Sequence, residues 1–263
     1  MQGRHCVVFC CGFAVAVMSG AAAGEDRPDT ETGFFSRLSH DRTVGKYGRG
    51  RDTTIDVTAL TLGYASDDYS FDVMLPYIRQ SGPGRPIFIA GLQPTVIAGP
   101  IQTVSGAGDV TSSLTRYLLN EEEYGVDLDL GAIFKLATAS ASKNLGTGEN
   151  DFAVQSTLGR SFGGFNTSLT LGYTYVGKPK GGNYQNAFYG TLDGSHRLDE
   201  DLTAGLTFSA GSSVVAGLVG TRDITGYVAY KLNKRLKLEA YYLKGLTVQS
   251  PDRGGGISLA LDF

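Results

Sequence analysis

The sequence predicts an all-β fold, a closed antiparallel transmembrane β-barrel of twelve strands. Three observations support this prediction. Apolar and polar residues alternate through segments of about ten residues, the length that a tilted membrane strand needs. The connections between these segments alternate between short and long. The chain also ends inside a strand, in which Ile257, Leu259 and Phe263 share one face. A terminal strand that ends on an aromatic residue is typical of bacterial outer-membrane barrels.

The first residues have the pattern of a secretory signal peptide. Arg4 precedes an apolar run over residues 6–17, and small residues lead to a predicted cleavage site after Ala23. The apolar run is too short to cross a bilayer as a helix. We therefore expect residues 1–23 to be a cleaved leader.

The predicted domain boundaries follow from this cleavage. Residues 24–33 would be a short N-terminal tether, and residues 34–263 would form the barrel. The leader contains the three cysteines Cys6, Cys10 and Cys11. The exported chain is thus expected to hold no disulfide, no thiol nucleophile and no cysteine-bound metal.

The composition favours strands and turns over helices. The chain has 37 glycines, 14 tyrosines and 13 phenylalanines but only 8 prolines. Mean hydropathy is −0.07, and past the leader no stretch approaches twenty apolar residues, which excludes a helical membrane protein. A formal net charge of −3 provides no basic excess, so nucleic acid is not an expected partner.

Alternation is clearest over residues 69–78, 124–137 and 165–176. Apolar and aromatic side chains take one face of these segments, and mostly small polar side chains take the other. A secreted soluble β-sandwich also alternates, but its strands average about six residues and its exposed face is richer in Lys and Glu. The long segments therefore favour a barrel over a sandwich.

Turn-forming residues divide the connections into two kinds. Short turns are predicted at residues 66–68, 120–123, 163–164, 199–201 and 233–235. Longer connections are predicted at residues 44–52, 79–108, 138–150, 177–186, 212–220 and 248–255. Both termini then lie on the short-turn side, which is periplasmic in bacterial barrels. The first strand, over residues 34–43, is weakly patterned and could instead be a plug or a tether.

The residue pattern does not indicate an enzyme. After the leader, the histidines are His40 and His196. His196 follows Ser195, but neighbours in a strand point to opposite faces and cannot form a hydrogen-bonded dyad. The glycine-rich segments lack the Lys and the following helix of a phosphate-binding loop. We therefore predict no catalytic residues, no cofactor and no metal site.

The face of each strand that opposes the apolar one supplies candidate lumen-lining residues. These are Asp72, Asp109, Asp127, Asp129, Lys135, Asp151, Asp193, Asp223 and Glu239. A water-filled pore lined mainly by acids would favour cations. Alternatively, the acids and bases pair and fill a narrow barrel through which nothing passes.

The longest connection, over residues 79–108, is unusually apolar. Its mouth-loop candidates are Ile87, Phe88, Val96 and Ile97. Such a loop could constrict the mouth, offer an apolar surface to a hydrophobic solute, or pack on its neighbours. Tyrosines near the ends of predicted strands, Tyr117 among them, are expected in the interfacial girdles.

Short motifs recur in a fixed order along residues 47–263. They are Leu75-Pro76-Tyr77, Ser81-Gly82-Pro83-Gly84, Gly106-Ala107-Gly108-Asp109-Val110, Leu145-Gly146-Thr147-Gly148, Val176-Gly177-Lys178-Pro179 and Lys244-Gly245-Leu246. Their order and spacing resemble the MetA-pathway phenol-degradation, or transporter, family of bacterial outer-membrane β-barrel proteins. The chain departs from the family pattern at residues 137–140 and at Asp262, where Arg is common.

The resemblance implies a barrel that passes small compounds, aromatic or hydrophobic ones included. It also implies that the barrel-assembly machinery recognises Phe263 as an assembly signal. It fixes no substrate and transfers no other functional residue.

We therefore predict a channel or facilitator for passive uptake of small solutes in the outer membrane of a Gram-negative cell. The expected partners are the lipid bilayer, the barrel-assembly machinery and a small solute. The alternative is a non-conducting barrel with a structural or surface-interaction role, and a lipid-hydrolysing barrel enzyme is less favoured.

Overall fold

The computed structural model describes residues 32–263, which form thirteen strands. The predicted leader and most of the tether lie outside the described residues and stay predictions. The strands are β1 (Gly33–Gly45), β2 (Thr53–Ala65), β3 (Tyr69–Ile87), β4 (Thr95–Ala107), β5 (Val110–Leu119), β6 (Asp127–Leu136), β7 (Asp151–Phe162), β8 (Phe165–Tyr175), β9 (Ala187–Arg197), β10 (Leu202–Gly211), β11 (Thr221–Lys231), β12 (Leu236–Gly245) and β13 (Arg253–Asp262). Within these residues, no helix is long and apolar enough to cross a membrane.

Twelve of the strands close into an antiparallel barrel. Each pairs with the next along the chain, with β3 pairing to β5, and β1 closes the ring by pairing with both β2 and β13. At this seam the backbone N–H of Phe263 donates to the carbonyl of Phe34 at 2.9 Å. The predicted twelve-strand barrel is confirmed. The weakly patterned first segment is a strand of the barrel wall.

The connections lie at two distinct ends of the barrel, which we call the short-turn end and the loop end. At the short-turn end, the β5–β6 connection contains a one-turn helix, α1 (Glu121–Tyr124). The Asn120 side chain accepts a hydrogen bond from the Glu123 N–H at 2.9 Å and caps this helix, and Gly125, at φ 75°, ends it. The predicted alternation of short turns and long loops is confirmed.

The longest connection is a hairpin rather than an irregular loop. A strand ending at Ile78 was predicted, but β3 continues to Ile87. Its first part pairs with β5 and its second part with β4, so β4 and β5 follow each other along one edge of β3. The prediction was wrong here because the backbone ladder to β4 continues across Pro83, where the pattern of alternating side chains breaks and the register shifts. We call residues 88–94, between β3 and β4, the tip segment.

Alternation sorts the side chains between the two faces of the wall. Large apolar side chains such as Leu60, Leu130 and Leu192 are exposed on the outer face. Their neighbours on the inner face are mostly small and polar, as Thr61 and Thr191 are. The outer surface is therefore apolar and suited to lipid.

Aromatic rings gather at both ends of the outer face. At the loop end a chain of ring contacts, with centroids between 4.6 and 6.2 Å apart, joins Phe134, Phe152, Tyr175, Tyr173 and Phe188. At the short-turn end, Phe34, Tyr64 and Tyr69 form a second group. Both groups fit interfacial girdles. Tyr117 was predicted to belong to a girdle, but it faces inward and is buried, because its position along β5 has the same parity as Ser113.

Candidate functional site

The inner face of the barrel holds all nine charged residues that alternation assigned to the lumen. Each is buried, with exposures of 9% or less: Asp72, Asp109, Asp127, Asp129, Lys135, Asp151, Asp193, Asp223 and Glu239. They belong to separate groups with different surroundings. The structure thus divides one sequence-based set into a paired cluster at the loop end and acids deeper in the barrel.

The paired cluster consists of Lys135, Asp109 and Asp151, which we call the charge cluster. The Lys135 ammonium is fully buried and lies 2.8 Å from Asp151 Oδ2 and 3.4 Å from Asp109 Oδ2. It also donates hydrogen bonds to the Phe88 carbonyl at 3.0 Å and to the Thr147 hydroxyl at 3.1 Å. Buried charges are stable only when they are paired and hydrogen-bonded. Asp109 and Asp151 are therefore partners of Lys135 and not independent acids of the lining.

The charge cluster also connects the long loops. Asp109 Oδ1 accepts a hydrogen bond from the Ala139 N–H, and Asp151 Oδ1 accepts one from the Gly177 N–H, both at 2.9 Å. These N–H groups belong to the β6–β7 and β8–β9 connections, and the Phe88 carbonyl belongs to the tip segment. One buried lysine with its two carboxylates therefore holds three connections at the loop end.

The tip segment lies inside the mouth of the barrel. Ala90 packs against Ile133 and Ala153, which are inward residues of β6 and β7. Its carbonyl accepts a hydrogen bond of 2.8 Å from the inward Thr174 hydroxyl of β8. The tip therefore occupies lumen space next to several strands.

One glycine lets the tip approach the wall this closely. Gly91 has φ 75°, a conformation that other residues rarely adopt, and a Cβ there would lie 2.6 Å from the Tyr189 ring. On its other side, the same ring lies over Gly172 of β8, where a Cβ would come within 2.1 Å of Cζ. The Tyr189 ring is thus held between the tip segment and the barrel wall.

The four mouth-loop candidates pack against neighbouring loops and strands. Phe88 and Val96 are buried in a cluster with Tyr47, Ile55, Val57, Ile78 and Leu145. Ile87 is buried in a second cluster with Ile89, Leu92, Val176, Tyr184, Ala187 and Val214, and the half-buried Ile97 packs against it. Burial in the first cluster raises the pKa of the Tyr47 hydroxyl above its usual range. Of the three predicted possibilities, packing on neighbours describes these four side chains, because they are covered. Constriction of the mouth stays a prediction.

Beside the tip and elsewhere on the lumen wall, tyrosine rings lie over glycines. Tyr189 lies opposite Gly172 on β8, and its hydroxyl donates to Gln155 Oε1 on β7 at 2.9 Å. Tyr241 lies opposite Gly256 on β13 in the same way and donates to Asp41 Oδ1 on β1 at 2.7 Å. A Cβ at Gly256 would come within 2.6 Å of the Tyr241 ring. The glycines make room for the rings, so the rings do not cross the lumen.

A third tyrosine ring of this kind lies over a glycine on strands β9 to β11. The Tyr227 ring covers Gly205, and its hydroxyl donates to Asp193 Oδ1 at 3.2 Å. The Thr207 hydroxyl donates to the other carboxylate oxygen of Asp193. Tyr189, Tyr227 and Tyr241 were not among the sequence-based candidates, although their parity would have placed them inward.

Other lumen groups have no hydrogen-bond partner in the described part of the chain. Both carboxylate oxygens of Asp223 and the hydroxyls of Ser209 and Thr225 are buried without a hydrogen-bond partner among residues 32–263. Ser209 lies directly opposite Asp223 on the neighbouring strand, and Thr225 is the next inward residue after Asp223. Buried polar atoms of this kind are satisfied by water, ions or solutes.

The net electrostatic character of the inner face is acidic. Two inward residues missing from the sequence-based set, Arg37 and Asp41, add one charge of each sign. Below the charge cluster, inward acids outnumber the inward bases Arg37, Arg197, Lys231 and Lys237 among the described residues. A hydrated lumen of this kind attracts cations.

The geometry brings no catalytic dyad together at Ser195 and His196. Ser195 faces the lumen, whereas the His196 ring stacks on the outward Phe165 with centroids 4.2 Å apart. His40 is also outward and lies 2.9 Å from the Thr58 hydroxyl. Within residues 32–263, no group of three or more His, Cys, Asp or Glu side chains is arranged to hold a metal ion.

The closed twelve-strand wall, the apolar outer face and the polar lumen define an outer-membrane β-barrel. The chain belongs to the family described as "Putative MetA-pathway of phenol degradation", whose model matches residues 26–263. A search of curated proteins finds no match to the sequence.

Solved structures show the same barrel. The COG4313 outer membrane channel from Pseudomonas putida F1 is similar, with a TM-score of 0.65 at 12% identity, covering 88% of this chain and 96% of that chain. The NanC porin matches with a TM-score of 0.54 at 7% identity, covering 87% and 98% of the two chains. The β domain of the Bordetella autotransporter BrkA matches with a TM-score of 0.52 at 13% identity, covering 89% of this chain and 100% of that chain. At these identities the likeness concerns the fold.

Proposed function

We propose that the protein is an outer-membrane channel through which small solutes pass passively, with a mouth narrowed by the tip segment. The observation that carries this proposal is the group of buried lumen atoms on Asp223, Ser209 and Thr225 that have no hydrogen-bond partner within residues 32–263. Such atoms keep water or a polar solute beside them. A barrel with only a structural role would gain stability from paired or apolar side chains at these positions. Family membership supports the same proposal.

A second candidate function is a non-conducting barrel, and one observation favours it. The inward side chains are almost completely buried, and the tip segment fills part of the mouth. A barrel packed in this way could stay closed and serve a structural or surface-interaction role. The two candidates therefore differ in whether solutes can pass the tip segment in the mouth.

Single-channel recording in planar bilayers separates the two candidates. We expect the purified barrel to show small, cation-preferring conductance steps. A variant in which Gly-Gly replaces residues 88–94 should show larger steps, because the tip no longer narrows the mouth. If this variant folds, as judged by heat-modifiable migration, and still carries no current, the channel proposal fails.

The solutes that we propose are small and polar, aromatic compounds included. The rings of Tyr189, Tyr227 and Tyr241 lie along the wall, with hydroxyl and carboxylate groups between them. The excess of inward acids should favour cationic over anionic solutes. In liposome-swelling assays, benzylamine should therefore enter faster than benzoate of the same size. Equal rates for the two would contradict a role of the inward acids in selection.

A further inference from the structure

Four basic residues lie together on the outer face of the barrel at the loop end. Arg222 on β11, Lys244 on β12, Arg253 on β13 and Arg42 on β1 are all exposed and occupy outward positions. We call these four residues the basic rim. Their strands are consecutive around the barrel. At a strand spacing of about 4.8 Å, four strands extend over roughly 15 Å of the wall.

The strand register places each member of the basic rim beside the next. Arg42 lies opposite Gly255, two residues from Arg253 on the same face of β13, so the two arginines are diagonal neighbours. Lys244 lies opposite Ile224, two residues from Arg222 on the same face of β11. Diagonal neighbours on one face lie about 7–8 Å apart, within reach of long side chains.

Lys244 and Arg253 connect these two pairs. Leu243 lies opposite Gly254, so the next residue of β12, Lys244, comes beside Arg253 at the end of the ladder. The Lys244 ammonium donates to the Asp252 carbonyl at 3.0 Å, which keeps it at this end of the wall. The basic rim is therefore a continuous row of cations.

The row lies directly beyond the lipid-facing surface. Moving down the same strands, the next large apolar outward side chains are Ile224, Tyr242, Ile257 and Leu38, with exposures between 43% and 58%, and the outward His40 lies between Arg42 and Leu38. Long basic side chains at such a boundary extend toward the head groups while their stems cover apolar surface. On the opposite wall, the corresponding loop-end positions hold the aromatic chain from Phe134 to Phe188 instead. At these outward wall positions, the basic side chains thus lie on one half of the circumference.

Nearby acids neutralise only part of this charge. Asp56 pairs with Arg42 Nε at 3.1 Å, yet the Arg42 side chain keeps 64% of its surface exposed. The Asp252 carboxylate accepts a hydrogen bond from the Lys46 N–H at 3.1 Å. Two acids therefore face four cations of the rim, and the surface at this boundary stays positive.

We propose that the basic rim binds the phosphate groups of an anionic glycolipid, of the lipid A type, in the outer leaflet beside β11, β12, β13 and β1. The loop end of bacterial barrels faces that leaflet, and its head groups carry phosphates at the level where the basic side chains emerge. Arginine pairs with phosphate through two parallel hydrogen bonds, which suits three of the four positions. This site is separate from the lumen and does not depend on conduction.

Native mass spectrometry of the detergent-purified full chain tests the proposal. We expect lipid A to stay bound, and dephosphorylated lipid A to bind far more weakly. The double variant Arg42→Gln/Arg253→Gln should bind lipid A about thirtyfold more weakly, since each basic residue near a charged membrane surface contributes about fivefold. Equal binding of the dephosphorylated lipid would overturn the proposal.

A matched control uses two exposed arginines at the short-turn end. Arg116→Gln/Arg160→Gln removes the same charge from the outer face, but at the opposite side of the membrane. This variant should bind lipid A as tightly as the unaltered chain. Equal weakening in both double variants would show a general charge effect and would also overturn the proposal. Heat-modifiable migration establishes that each variant is folded.

Discussion

Removing the Lys135 ammonium should release the tip segment from the mouth. Lys135→Met keeps most of the length of the side chain but leaves Asp109 and Asp151 as buried carboxylates, with 1% and 0% of their side chains exposed. Removing one partner of a buried ion pair costs about 3–5 kcal/mol, because the remaining charge is uncompensated. Departure of the tip segment would let water reach both carboxylates and relieve this cost. At about 1.4 kcal/mol for each factor of ten, the ratio of open to closed mouths should rise at least on the order of a hundredfold.

Two measurements detect this release. Chymotrypsin cleaves after Phe88 only when the tip segment is accessible, and Phe88 is 1% exposed in the closed mouth. We expect Lys135→Met to be cleaved at this bond and to show larger single-channel conductance, while the unaltered chain stays protected. Lys178→Met, at an exposed position of the β8–β9 connection, is the matched control and should behave like the unaltered chain.

A neutral cluster provides the complementary test. In the triple variant Lys135→Met/Asp109→Asn/Asp151→Asn, the charge cluster holds no charge. The free-energy cost that favours an open mouth should therefore disappear, and Phe88 should again be protected from chymotrypsin. The reasoning is refuted if Lys135→Met folds and keeps both the protection and the conductance of the unaltered chain.

Three further predictions concern the tyrosine rings that lie over glycines, the lumen residue Asp223 and the last residue, Phe263. Gly172→Ala places a methyl group against the Tyr189 ring, which Gly91 confines from the other side. Chymotrypsin cleavage after Phe88 should therefore accelerate. Gly194→Ala, whose Cβ meets nothing within 4 Å, is the control and should have no effect. Asp223→Asn should move the reversal potential in a KCl gradient toward zero, whereas Asp67→Asn in an exposed turn should leave it unchanged. Deleting Phe263, which is 67% exposed, should lower the amount of barrel assembled in cells. The melting temperature of the refolded protein should stay nearly unchanged. A loss in both assays would indicate a structural role instead.

Alternation alone predicted the barrel and the faces of its strands, because each side chain in a strand has only two directions to take. The same parity placed Asp127, Asp193 and Glu239 inward, where they lie. Tyr117 was misplaced because nearness to a strand end was given more weight than parity. The first strand looked weak because Ser36, Arg37 and Ser39 interrupt its pattern, yet its backbone pairs on both sides.

Contacts between distant segments could not be predicted in this way. The charge cluster joins the residue just before β5, the end of β6 and the start of β7, and these meet only once the register is fixed. Predicting the tyrosine rings over glycines likewise requires knowing that Gly172 lies opposite Tyr189. The hairpin was missed because a backbone ladder needs no apolar pattern to continue, and β4 is exposed along most of its length.

The charge cluster can remain intact when the tip segment leaves, and this has a consequence for passive passage. Departure of the tip breaks one hydrogen bond from Lys135 to the Phe88 carbonyl and one from Thr174 to the Ala90 carbonyl. The neutral Thr174 hydrogen bond contributes about 1 kcal/mol net, and the one from the charged Lys135 ammonium about 1.5–3 kcal/mol, because water replaces the lost partner. The ion pairs with Asp109 and Asp151 join residues outside the tip segment and need not break. The tip segment is otherwise held in the mouth by the apolar packing of Phe88 and its neighbours. A small solute with an apolar surface can partly replace these contacts. For the proposed channel we therefore predict that a solute and thermal energy open the mouth without an external energy source.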